Sequence, residues 1–142
     1  MLADVNVLVS AFRPDTERHV ACREWLVRAI EDDAPFALSP QILSSVLRIL
    51  TYRKVFKPPS PLMDALAFAD NLLGQPHARI VTPGDQHWLI FRELCIAADA
   101  RDNLIPAAWF AALAIEHGCE FVTLDRDYAR FPRLRWLTPD SA

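Results

Sequence analysis

Met1-Leu2-Ala3-Asp4-Val5-Asn6-Val7-Leu8-Val9 opens the chain and is apolar except at Asp4 and Asn6. Read as one buried strand, it would carry a carboxylate into an apolar interior, where an ion must lose its charge or gain a partner. The preferred reading is a short strand that ends near Asp4, followed by a helical turn running toward Phe12. Asp4 then sits where a strand meets a helix.

The same alternation recurs downstream. Glu17 to Ile30 carries Val20, Trp25, Leu26 and Ile30 at mixed three-to-five spacings, and Ser39-Pro40 ahead of Gln41 to Tyr52 pairs a cap residue with a proline at the first helical position. Arg53, Lys54 and Lys57 then lead into Pro58, Pro59 and Pro61, a basic loop that hinges two helices. Leu62 to Leu73 reads as a helix stopped by Gly74 and Pro76. Ala78 to Thr82 reads as a strand, Asp85 to Ala98 as a periodic helix, and Pro106 to His117 as an alanine-rich helix closed by Gly118. Glu120 to Leu124 is a further strand that ends at Asp125, and Leu134 to Leu137 is the last. Strands alternating with helices, without hairpin signals, predict a parallel α/β sandwich spanning residues 1–142 as one domain.

Composition narrows the chemistry. The 142 residues are 52% apolar and 23% charged, with 18 acids against 15 bases and a net charge of −3, which describes a globular domain large enough to hold a core without a metal or disulfide staple. A mildly acidic chain does not bind nucleic acid by bulk charge. Gly74, Gly84 and Gly118 are too far apart to form a phosphate cradle of the Walker or dinucleotide type, so ATPase and nicotinamide chemistry are excluded. No serine has a G-x-S-x-G context. Cys22, Cys95 and Cys119 are odd in number and lack C-x-x-C spacing, so they read as buried core thiols in a reducing compartment. No stretch approaches the roughly 18 uncharged apolar residues of a membrane span, so no membrane partner and a cytoplasmic location are expected.

In open α/β sheets, ligands bind beyond the carboxyl ends of the strands. Asp4 and Asp125 both fall at such ends, with Asn6 two residues past Asp4 and Asp127 two past Asp125. Oxygen donors of this kind suit Mg²⁺ or Mn²⁺, which need only one or two protein carboxylates when waters and substrate phosphates complete the octahedron. Asp is also favoured at helix caps and turns, so position alone leaves both readings open.

Three segments carry a resemblance: D-V-N-V-L-V from Asp4 to Val9, N-L-I-P-A-A-W-F-A-A-L-A-I-E-H-G from Asn103 to Gly118, and F-V-T-L-D-R-D-Y-A-R-F from Phe121 to Phe131, followed by Leu134-Arg135-Trp136. In this order they resemble the PIN-domain ribonucleases, most closely the VapC toxins of toxin–antitoxin pairs, from residue 1 to about 139. The resemblance implies a three-layer α/β/α sandwich around a parallel sheet, and an acidic pocket that holds Mg²⁺ or Mn²⁺ and hydrolyses RNA phosphodiesters. It also implies a cognate antitoxin protein and a homodimer as partners. Asp4 matches the family's first acid and Asp125 its last, with Asp127 as an auxiliary carboxylate; Asn6 and Thr123 match polar positions that orient them.

Two positions depart from the family pattern. Its second acid, a helical Glu, falls at Ser45, whose hydroxyl can still hold a water, with Gln41 one turn earlier. Its third acid, in Pro-Asp-Ala, falls at Ala107 of Pro106-Ala107-Ala108, which has no ligand atom. Ala107 admits three accounts: a substitution made to silence a toxic nuclease, replacement of the lost carboxylate by Asp102 from the preceding loop, or a natural chain that binds an antitoxin or RNA without cleaving. Two carboxylates balance one divalent cation and not two, so poor or absent cleavage is expected. His19, His77, His87 and His117 lack ligand spacing and read as surface or capping residues. Trp25, Trp88, Trp109 and Trp136 read as mainly core. Arg48, Arg53, Lys54 and Lys57, and the later Arg126, Arg130, Arg133 and Arg135, read as solvated charge or an RNA path.

Overall fold

A computed structural model describes residues 1–142. Its sheet is built from β1 (Leu2–Ala3), β2 (Phe36–Leu38), β3 (Ala78–Ile80), β4 (Phe121–Val122) and β5 (Trp136–Leu137), all parallel, in the order β3-β2-β1-β4-β5. Helices α1 (Val5–Phe12) and α2 (His19–Glu31) link β1 to β2, α3 (Pro40–Leu50) and α4 (Leu62–Leu73) link β2 to β3, and α5 (His87–Ala98) and α6 (Leu104–Glu116) lead to β4. A 3₁₀ turn, Arg126–Arg130, follows β4. The connections from β1 to β3 run one way across the sheet, and the connection from β3 to β4 runs back. Right-handed crossovers therefore place α1–α4 on one face and α5–α6 on the other, which makes a three-layer α/β/α sandwich. The reversal falls between β1 and β4.

Local chemistry explains the elements. Ser39 Oγ accepts from Ile42 N at 3.3 Å and Pro40 opens α3, so the expected cap and N-terminal proline are both present. Gly118, at φ +66, takes the left-handed conformation that ends α6. Glu116, at the end of α6, accepts from Gly84 N at 2.7 Å and Gln86 N at 3.0 Å, closing the turn between β3 and α5. A Cβ on Gly84 would lie 2.8 Å from Glu116 Oε2, so a larger residue there would have to displace the carboxylate that closes this turn.

Several expectations are corrected. The strand β2 has no signature in the sequence: Phe36, Ala37 and Leu38 are all buried, so no polar alternation marks them, and three residues are too few to read as a strand. Helix α6 starts at Leu104, two residues earlier than expected, because Pro106 occupies the third helical position, where the missing N–H costs no intrahelical bond. Helix α5 starts at His87, not Asp85. His87 is buried: its Nε2 bonds the Trp109 carbonyl at 2.9 Å and its ring packs edge-on to Trp109. Trp88 is exposed, since it points away from the α5–α6 contact, and Cys95 and Cys119 are only half-buried. Trp25 is in the core as expected.

Ala108, Ala111, Ala112 and Ala114 of α6 are fully buried, so this helix approaches its neighbours through methyl groups alone. Overpacking such a contact forces side chains off their rotamers and costs roughly 1–3 kcal/mol. Ala111→Leu is expected to lower the unfolding free energy by that amount, seen as a lower urea midpoint, without changing the far-ultraviolet spectrum. An unchanged midpoint would show that the α6 contact has free space.

Candidate active site

Two acids converge at the reversal between β1 and β4. The backbone N–H of Asp4 bonds the Val122 carbonyl at 2.8 Å, which brings the two strand ends into register. Asp4 then caps α1, with Oδ1 accepting from Val5 N at 2.7 Å, and its Oδ2 accepts from Thr123 Oγ1 at 2.6 Å. The Thr123 hydroxyl oxygen in turn accepts from Asp125 N at 3.0 Å, and Asn6 Oδ1 accepts from Leu124 N at 3.3 Å. Asp125 Oδ1 caps the 3₁₀ turn through Asp127 N at 2.9 Å, leaving Oδ2 without a protein partner. Asp4 and Asp125 are thus cap residues, and they also face one space.

That space is a cavity of about 510 Å³ whose wall includes Asp4, Asn6, Ser45, Asn103, Ala107 and Asp125, with Val55, Phe56 and Phe110 on its apolar side. Of the residues anticipated from sequence, Asp4, Asn6, Ser45, Ala107 and Asp125 line it, and Thr123 lies behind Asp4. Asp102 and Asp127 do not line it. They line an adjoining hollow of about 260 Å³ that shares only Asn103, Ala107 and Asp125 with the larger space. Gln41 is turned elsewhere, its Oε1 accepting from Trp109 Nε1 at 2.7 Å. Asn103, Tyr128 and the apolar wall were not anticipated. For Tyr128 a signal existed: three residues past Asp125 on a tight turn, it returns to the same side as that acid.

Asp4 is 6% exposed although it stands outside the strand. Burial pushes its carboxyl up from 3.8 to about 6, opposed by the Thr123 and Val5 hydrogen bonds and reinforced by the charge on Asp125. The Tyr128 phenol is pushed far up by burial and then by Asp4 and Asp125, so it stays protonated.

The donor set is oxygen only: two carboxylates, the Ser45 hydroxyl and the Asn103 amide. No group of three or more His, Cys, Asp or Glu side chains converges anywhere as a metal cage. Two carboxylates with neutral oxygens fit one hard cation completed by waters, and do not fit two.

A family model described as PIN domain matches residues 1–134. Ribonuclease VapC25 of Mycobacterium tuberculosis is 44% identical over 138 residues, covering 97% of each chain. Among solved structures, VapBC2 from Rickettsia felis bound to a promoter DNA fragment superposes with a TM-score of 0.68 at 15% identity, over 96% of each chain. Mycobacterium tuberculosis VapC20, a Sarcin-Ricin loop cleaving toxin, superposes with a TM-score of 0.64 at 17% identity, over 94% of this chain and 98% of its own.

A buried carboxyl with a raised value favours the folded state only while protonated. Folding stability is therefore fullest below about pH 4 as far as Asp4 is concerned, and falls as pH rises through about 6. The shift amounts to about 3 kcal/mol. Asp4→Asn removes that penalty, so without divalent metal it is expected to be the more stable chain at pH 7, with a flatter profile between pH 4 and 7. Denaturation across that range checks it, and parallel profiles would refute it.

Proposed function

The chain belongs to the PIN-domain family of VapC ribonucleases, and on that premise we propose that it is an RNA phosphodiesterase of the VapC toxin type, held at low turnover by Ala107. The observation that carries this reading is the single cavity lined by Asp4, Ser45, Asp125 and Ala107. Asp4 and Asp125 are the residues that would hold one Mg²⁺ or Mn²⁺. Once bound, the cation supplies Lewis acidity toward a phosphate oxygen and a water of lowered pKa.

The chain's own groups do the rest. Thr123 and Val5 N–H fix the Asp4 carboxylate, which lowers its freedom to rotate away from the cavity. Asn6 holds the backbone that presents Asp125. Ser45 offers a hydroxyl where the family carries an acid, enough to hold a water but without charge. Ala107 offers nothing, so the negative charge facing the cation is one unit short of what the resemblance implies. Asp102 and Asp127, across the shared wall of Ala107 and Asp125, are proposed as auxiliary carboxylates that contact the RNA side of the site.

A cognate antitoxin protein is the proposed partner, supported by a toxin–antitoxin complex from Klebsiella pneumoniae among the structural neighbours, and a homodimer is the proposed assembly. Three free cysteines fit a reducing cytoplasm. No helix is long and apolar enough to cross a membrane. Residues 1–142 are proposed to act as one unit, a reading supported by the one sheet and one continuous core. The same Ala107 favours a second reading, a catalytically silent module that binds antitoxin or RNA.

Restoring the carboxylate separates the two. Ala107→Asp is expected to cleave a structured RNA roughly 10- to 100-fold faster than the parent chain in Mg²⁺ or Mn²⁺. Equal cleavage by both chains would refute the role given to Ala107. No cleavage by either would favour the silent module.

A further inference from the structure

We infer that the apolar side of the acidic cavity is a nucleobase subsite that holds one unpaired RNA base, with Phe56 as its stacking surface. The inference rests on the ribonuclease reading and extends it from the reaction to the nucleotide that is held beside it. The lining of the cavity combines the acids Asp4 and Asp125 with the apolar side chains of Ile49, Val55, Phe56 and Phe110. A nucleotide whose phosphodiester lay at the acids would have this apolar surface of the same cavity within reach of its base. At about 510 Å³ the space lies within the range of small-ligand pockets.

Phe56 is built to keep its place. The Arg13 guanidinium lies over its ring, 4.2 Å from the centroid. Arg13 is itself fixed by two bonds to Asp15, at 2.9 and 2.6 Å, and by one to Ser60 Oγ at 3.2 Å. One face of the ring is therefore covered by a held cation while the ring still lines the cavity. The loop that supplies Val55 and Phe56 also supplies Arg53, Lys54 and Lys57, all exposed and none paired with an acid. An aromatic surface interleaved with free cations is the combination that binds single-stranded nucleic acid, by stacking and by phosphate contact together. In a chain of net charge −3, this local excess of cations is complementary to a polyanion rather than to an apolar peptide. A base inside a duplex is stacked on both faces and cannot enter, so the occupant is a loop or single-strand nucleotide.

The test is binding of a short labelled single-stranded RNA to the full chain in Mg²⁺, with strand integrity checked on a gel, alongside copies of that RNA carrying one abasic position in turn. One abasic position is expected to weaken binding roughly 5- to 100-fold. Phe56→Leu is expected to weaken binding of the intact strand by a similar factor and to bind the abasic strand no worse than the parent does, while Phe56→Trp keeps the discrimination. Lys54→Ala is expected to weaken both strands equally and to reduce the salt dependence. Should Phe56→Leu fail to fold, Val55→Ser at an exposed position reads the same loss. Binding that ignores both the abasic scan and the wall variants overturns the subsite. Cleavage by Ala107→Asp without an abasic effect overturns the subsite alone. An abasic effect with no cleavage by any variant overturns the ribonuclease reading and leaves the subsite standing.

Discussion

The 2.6 Å hydrogen bond from Thr123 Oγ1 to Asp4 Oδ2 joins the ends of β1 and β4, residues 119 positions apart in the chain. Around it the sheet reverses its winding, α1 begins, and the backbone turns toward Asp125. Helix α1 needs a cap, and Asp4 provides one; Asp125 N needs an acceptor, and the same threonine hydroxyl provides it. A buried carboxylate is costly unless its oxygens are satisfied, and here both are, by the first N–H of α1 and by the Thr123 hydroxyl just past β4. The site and the fold therefore share one network: loosening Thr123 would free Asp4 and the turn that presents Asp125 together.

That network leaves a residual tension, which is where its chemistry lies. Two hydrogen bonds do not fully offset the burial of Asp4, and its carboxyl remains raised to about 6. A second carboxylate across the cavity adds to the tension. On the function proposed above, a divalent cation bound between these acids would relieve both. On the same proposal, Ala107 leaves the wall one charge short of what the family resemblance implies.

Much of the architecture was legible because each signal was local. Ser39-Pro40 announced a helix start and Gly118 a helix end, and both hold through backbone chemistry within a few residues. Asp4 and Asp125 were legible because acids at strand ends in an α/β sheet lie near the ligand crevice. What escaped had no local signature. The strand β2 is buried throughout and shows no alternation, and the burial of His87 depends on a carbonyl of Trp109 on another helix. Phe56 reads in sequence as one apolar residue in a basic, proline-rich loop. Its place at the cavity comes from Arg13, 43 positions earlier, stacking on its ring.

By itself, the sequence determined the α/β alternation, the family, and the two acids at strand ends, because caps, periodicity and motif order are written in neighbouring residues. Only the tertiary structure decided which acids share a space. Asp127 reads in sequence as an auxiliary carboxylate and Asp102 as a stand-in for the acid missing at Ala107, yet both face an adjoining hollow, since the left-handed residue Asp102 and the 3₁₀ turn at Asp127 direct them past the wall formed by Ala107. Convergence of side chains from β1, α3, α6 and the turn after β4 is a property of the packed sheet and helices, and no stretch of chain short enough to read as a motif contains it.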